Sequence, residues 1–178
     1  MRLLTVKKIV MNYEVLHNFP QDIISELKLY WEENKNSKDI SLIYVLKRFD
    51  PPEINHILEK MNCGASDIGY LIAPPNYGIA IPHIDNNRLS ALNIPIDVEP
   101  EKNFFYTFNK DKEYTRENCP EYVEENFDHY NLSKPCILNT ACPHGWATFM
   151  DRERVLCTIS FAETPYSELA AKIPKEWF

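Results

Sequence analysis

From Gly69 to Ala162 the chain is a succession of short apolar or alternating runs, each bounded by Pro, Asn or Asp. The runs cover 70–73, 79–84, 89–96, 103–108, 136–140 and 154–162. Segments this short, ended by turn-forming residues, read as five or six β-strands. Thirteen prolines stand against four glycines, so elements are stopped mainly by Pro and Asn. Pro is confined to strand starts and edges in sheets, and many Pro-bounded strands favour a β-sandwich or barrel over a helical bundle.

The first third reads differently. Pro20 opens a segment in which Ile23, Leu27 and Tyr30 recur at helical spacing beside Ile24 and Trp31. Asp22 lies early and Lys28 late, as the helix dipole prefers. A polar stretch, 32–39, ends it. A second helix starts near Pro51–Pro52, carries Ile54, Ile57, Leu58 and Met61 on one face, and stops at Asn62-Cys63-Gly64. Residues 40–49 fit strand or helix equally. Segment 111–133 is acidic and aromatic, with Tyr114, Tyr122, Phe127 and Tyr130, and reads as a long, partly helical insertion between strands. Residues 167–178 read as a short helix and a Pro-broken end. The expected organisation is a single domain over 1–178: a helical support (1–68), a β core (69–162) and a tail (163–178). A chain of 178 residues and 20.9 kDa suits one domain.

Charge and cysteine usage narrow the function. Nineteen basic and 26 acidic residues give a formal net charge of −7, which disfavours binding to nucleic acid. No apolar run is long enough to span a membrane. Residues 1–13 mix apolar and basic side chains without an uninterrupted apolar core, so they are not read as a signal peptide. The five cysteines are odd in number and form no Cys-x-x-Cys, pointing to reduced thiols and a cytoplasmic location.

Three pieces of sequence carry chemistry. His83 and Asp85 are two apart, so a strand turns both to one side. An imidazole and a carboxylate suit a first-row divalent metal. His144 lies 59 residues beyond Asp85 (85 to 144), after an apolar run and between Pro143 and Gly145. It supplies a third ligand, and two His with one carboxylate on one face of a metal leave the other positions open. Arg154 follows His144 by ten residues. Alternation puts Arg154, Leu156, Thr158 and Ser160 on one face of its strand and Val155, Cys157, Ile159 and Phe161 on the other. A guanidinium entering a β core calls for an anion, and its planar fork fits a carboxylate. Each piece alone has a plain structural explanation: a turn His, a strand-end Asp, an Arg reaching solvent.

Taken together and in this order, the four residues resemble the Fe(II)/2-oxoglutarate-dependent oxygenases, small prolyl-hydroxylase-like members in particular. The resemblance spans roughly 69–162 and extends to the run 89–96 and to 138–140. It implies a double-stranded β-helix, a jelly-roll or cupin-like barrel, buttressed by the N-terminal helices. It implies Fe(II) held by His83, Asp85 and His144, and 2-oxoglutarate clamped by Arg154 with help from Thr158 or Ser160. Tyr70 is a further co-substrate contact, with Tyr77-Gly78 near the place where relatives carry a Tyr-Gly pair. The reaction implied uses O₂, hydroxylates an unactivated C–H bond and releases succinate and CO₂. Arg88, three residues after Asp85, competes with Arg154 for the clamp or else binds substrate, as do Asn93 and Trp146. The substrate expected is a small molecule or peptide, with a prolyl or other amino-acid residue favoured; a homodimer is compatible with the sequence. His17, His56 and His129 have no partners at metal spacing. The rival readings are a cupin-like metal-binding protein without turnover, a zinc hydrolase, which lacks a general base beside the ligands, and a structural domain with incidental histidines.

Overall fold

The computed structural model describes residues 12–36, 45–48, 52–108, 115, 119 and 127–178. Its strands are β1 (Tyr13–Val15), β2 (Val45–Arg48), β3 (Asp67–Ala73), β4 (Gly78–Ile79), β5 (Ser90–Asp97), β6 (Asn103–Phe108), β7 (Phe127–Tyr130), β8 (Cys136–Asn139), β9 (His144–Thr148) and β10 (Arg154–Phe161). Its helices are α1 (Gln21–Asn34), α2 (Pro52–Met61) and α3 (Tyr166–Lys172). A six-stranded sheet has the order β1-β8-β5-β10-β3-β2 and a four-stranded sheet the order β4-β9-β6-β7. Neighbouring strands are antiparallel throughout. This is a double-stranded β-helix, flanked by helices as expected.

Strand β10 sits at the centre of the larger sheet, between β3 and β5, and is buried along its whole length. Its two faces divide as alternation requires. Val155, Cys157, Ile159 and Phe161 join α1, α2 and α3 in one core, with Leu27, Trp31, Ile54, Ile57 and Leu169. Leu156 joins a second core between the sheets, with Ala73, Ala91, Phe105, Leu138 and Trp146. Each fully buried Leu or Ile contributes about 1.5–3 kcal/mol, so the helices are held to the sheet by an apolar face.

The helices follow the sequence with small differences. α1 buries Ile23, Ile24, Leu27 and Trp31 and has Asp22 in its first turn, but its last turn holds no basic residue, because it runs six residues past Lys28. α2 ends at Met61, and Asn62 just after it, with φ 47°, makes the left-handed turn that Gly64 does not have to supply. Residues 1–11, most of 40–49 and the centre of the 111–133 insertion lie outside the described residues. The described ends of two of these segments are strands: β2 at Val45–Arg48 and β7 at Phe127–Tyr130. The first 68 residues therefore contribute two strands, β1 and β2, as well as helices.

Candidate metal centre and its cavity

His83 and His144 face each other across two antiparallel segments. The His83 N–H donates to the His144 carbonyl at 2.9 Å, and the His144 N–H returns to the His83 carbonyl at 3.0 Å. The expected strand 79–84 is regular only at Gly78–Ile79; His83 is then caught by this single pair. Asp85 lies just beyond, its N–H donating to the Thr140 carbonyl at 3.1 Å, while the Thr140 hydroxyl donates to the Arg88 carbonyl at 2.9 Å. Thr140, fully buried, thus pins the loop that carries Asp85 and Arg88 to the end of β8.

The three side chains converge. His83 Nε2 is 3.6 Å from Asp85 Oδ1, and His144 Nε2 is 3.7 Å from Asp85 Oδ2. All three ligand atoms lie within 4.8 Å of one another. Each imidazole has its other nitrogen at a backbone carbonyl: His83 Nδ1 at 3.0 Å from Ile81 O and His144 Nδ1 at 2.9 Å from Cys142 O. That contact fixes the tautomer and leaves both Nε2 lone pairs directed at the carboxylate, as in metal-binding histidines generally. Two neutral nitrogens and one carboxylate oxygen at these separations fit a first-row divalent ion after a small inward shift.

Burial pushes the His144 pKa down to about 4, against the pull of Asp85 and with help from His83 and Arg88. The neutral ring is the ligand form. Its folded pKa is below the ordinary 6.5, so the metal-free fold disfavours protonation there. The stability this represents is present above pH 6.5 and is lost as pH falls towards 4. It amounts to about 3 kcal/mol. Thermal melts of the metal-free protein between pH 7 and 4 are expected to show this loss, and His144→Ala to remove it.

Gly145 shows why β9 runs where it does. A Cβ there would overlap the Tyr106 ring, reaching its Cε2 at 2.9 Å and its hydroxyl closer still. The Tyr106 hydroxyl donates to the Ala80 carbonyl, and burial raises its pKa to about 12. The ring therefore has no room to retreat. Gly145→Ala is expected to destabilise the fold by about 2–4 kcal/mol, read as a lower urea midpoint. Adding Tyr106→Leu should recover part of that loss.

A cavity of about 370 Å³ opens beside the histidines. Arg88, Asn93, Trp146 and Arg154 line it, with Tyr77, Leu71, Phe105 and Leu156 among the walls. Arg154 is completely buried, its guanidinium 4.2 Å from the centre of the Trp146 ring. Arg88 Nε donates to Asp85 Oδ2 at 2.5 Å, and its Nη1 donates to Thr158 and Ser160 at 3.1 Å each. Phe105 stacks on His144 with ring centres 5.8 Å apart.

No protein-family model and no curated protein matches this sequence. Solved structures do match. HygX from Streptomyces hygroscopicus, solved with nickel and 2-oxoglutarate bound, is 10% identical, with a TM-score of 0.59 over 87% of this chain and 84% of that one. A Pseudomonas putida prolyl-4-hydroxylase is 15% identical, with a TM-score of 0.56 over 85% of this chain and 92% of that one. The non-haem alpha-ketoglutarate-dependent carbocyclase SnoK from nogalamycin biosynthesis is 10% identical, with a TM-score of 0.55 over 83% and 78%. The fold is that of the Fe(II)/2-oxoglutarate-dependent oxygenases.

Within that fold, His83, Asp85 and His144 come together, and Arg154, Arg88, Asn93 and Trp146 share their cavity. Thr158 reaches it through its bond to Arg88. Tyr70 does not. It lies on the opposite face of β3, packed on Trp31, and its hydroxyl donates to the Leu27 carbonyl at 2.7 Å. The expectation that Tyr70 touches the co-substrate is therefore corrected: it ties α1 to the sheet. Tyr77 is the tyrosine that lines the cavity, its ring tilted against Trp146 with centres 4.8 Å apart. His17, His56 and His129 are all exposed. Sequence reasoning passed over Thr140 as a strap and Phe105 as a support for His144. Thr140 had a signal, since it is a polar residue directly after an apolar strand and before the ligand loop. Phe105 had none beyond its place in an alternating run.

Proposed function

We propose that this protein is an Fe(II)- and 2-oxoglutarate-dependent dioxygenase that hydroxylates an unactivated C–H bond of a small molecule or peptide. A prolyl or other amino-acid group is the substrate favoured. The supporting observation is the convergence of two oriented imidazoles and a carboxylate beside a cavity that also contains the buried guanidinium of Arg154. When bound, iron and 2-oxoglutarate supply the oxidising power: the 2-oxo acid and O₂ give succinate, CO₂ and one oxygen atom for the C–H bond.

The chain's own residues bind, orient and exclude. His83, Asp85 and His144 would hold the metal at the cavity that His83 and His144 line. The backbone carbonyls of Ile81 and Cys142 keep both rings aimed. Arg154 would pair with the far carboxylate of 2-oxoglutarate, its guanidinium placed over the Trp146 ring. Leu71, Phe105 and Leu156 keep the cavity apolar, which strengthens that pairing and limits water. The whole chain acts as one catalytic domain. The five free thiols suit a reducing compartment such as the cytoplasm, where iron stays ferrous. No helix among the described residues is long and apolar enough to cross a membrane.

The test is an anaerobic titration of metal-free protein with Fe(II) and then 2-oxoglutarate, followed by visible absorption. A weak metal-to-ligand charge-transfer band is expected, and it should be absent from His83→Ala. Iron binding without the band would instead favour a metal-binding protein of cupin type. No metal binding at all would leave the histidines structural.

A further inference from the structure

Two guanidiniums enter one cavity near opposite ends of β10, and 2-oxoglutarate has a single distal carboxylate. Arg154 opens the strand and lies against Trp146. Arg88 is bound near the other end, by Thr158 and Ser160. Four residues separate Arg154 from Thr158, about 13 Å of strand, with inward-facing Leu156 between them. The metal ligands lie at the Arg88 end, since Arg88 also holds Asp85. With Arg154 engaged by the co-substrate, Arg88 remains as a second cation at the end of the cavity that holds His83, Asp85 and His144.

The three donors Arg88 uses leave its Nη2 group, which no described residue takes. Asn93 pairs directly with Thr158 across the sheet. Its Oδ1 is buried in the same cavity and accepts no hydrogen bond from any described residue. A buried acceptor of this kind awaits a donor.

We propose that Arg88 and Asn93 form the recognition site for the primary substrate, Arg88 taking its carboxylate and Asn93 an adjacent N–H, so that the substrate is an amino acid or an N-acyl amino acid. This inference rests on the oxygenase reading above. The cavity must also hold 2-oxoglutarate, which restricts the enclosed part of the substrate to about the size of one residue.

The experiment uses full-length protein loaded anaerobically with Fe(II) and 2-oxoglutarate. The probes are the twenty L-amino acids, their N-acetyl derivatives and the primary amides of both sets. The readouts are perturbation of the charge-transfer band and the thermal midpoint. At least one acid is expected to bind, with its amide ten times weaker or worse. A response from free acids places the substrate among amino acids; one confined to N-acetyl acids places it among peptide C-termini. Arg88→Gln should weaken that acid about ten- to hundredfold while the band with 2-oxoglutarate persists. Asn93→Leu should weaken it without changing the preference for acid over amide. If Arg88→Gln also loses iron, Arg88→Lys, which keeps the cation, is read in its place and should retain the preference. Equal binding of acids and amides overturns the proposal, as does silence across the panel. So does loss of the 2-oxoglutarate band in both Arg88 variants. A band in the wild type with no acid preference sinks only this inference; no band in the wild type sinks the oxygenase reading with it.

Discussion

His144→Ala is expected to abolish tight Fe(II) binding in a protein that still folds. The ring is 2% exposed and brings its Nε2 to 3.7 Å from the Asp85 carboxylate. Changes to residues that merely orient a ligand cost ten- to hundredfold in metal affinity, so removal of a ligand should cost more than about a hundredfold. The fold should survive because the pairing of positions 83 and 144 is made by backbone atoms, which alanine keeps. Truncation does open a void beside Phe105 and removes the contact to Cys142 O. Together these cost about 1–3 kcal/mol, offset in part because a poorly solvated imidazole is gone. Iron stoichiometry after gel filtration, with circular dichroism for the fold, separates the two effects. His129→Ala, on the exposed side of β7, is the control and should bind iron normally. Unchanged stoichiometry in His144→Ala would remove this residue from the site.

The inward face of β10 was legible because period-two alternation needs no knowledge of neighbours. Arg154, Leu156, Thr158 and Ser160 do face the barrel, and their alternates do meet the helices. The convergence of His83, Asp85 and His144 was legible for a similar reason, since residue type and order point to it. Tyr70 was not, because its face depends on register. It lies opposite Cys157, a helix-side residue, and that pairing is set by contacts across 87 positions (70 to 157) that no local pattern encodes. Strand β9 was hidden for another reason. Pro143 and Gly145 around His144 look like a loop, yet Gly145 is there to admit the Tyr106 ring from β6. The edge strands β1 and β7, of three and four residues, are too short for any alternation to show, and each is made a strand by the partner it pairs with. The attachment of Arg88 to Thr158 and Ser160, some seventy residues away, was equally beyond local reading.

Arg154→Met is expected to cost more 2-oxoglutarate affinity than any other single change in the cavity, with iron binding retained. Methionine keeps an unbranched apolar stem against Trp146 and deletes only the charged fork. A co-substrate carboxylate brought into that apolar end would then be buried without its cation. Truncating one member of a desolvated, hydrogen-bonded charge pair costs about 2–5 kcal/mol, or roughly thirtyfold to several thousandfold in affinity. Arg154→Lys should fall between, because an ammonium restores charge but cannot offer two parallel donors to one carboxylate. The same titration on Arg88→Met supplies the contrast. Arg88 reaches the cavity through Thr158 and Ser160, about four residues along β10 from Arg154, and its Nε is committed to Asp85. Its loss should alter the iron site or the primary substrate more than the co-substrate. If the charge-transfer band instead needs 2-oxoglutarate at much higher concentration in Arg88→Met than in Arg154→Met, the two arginines exchange roles. The deep guanidinium beside Trp146 would then face the primary substrate, and the co-substrate would lie along Thr158 and Ser160.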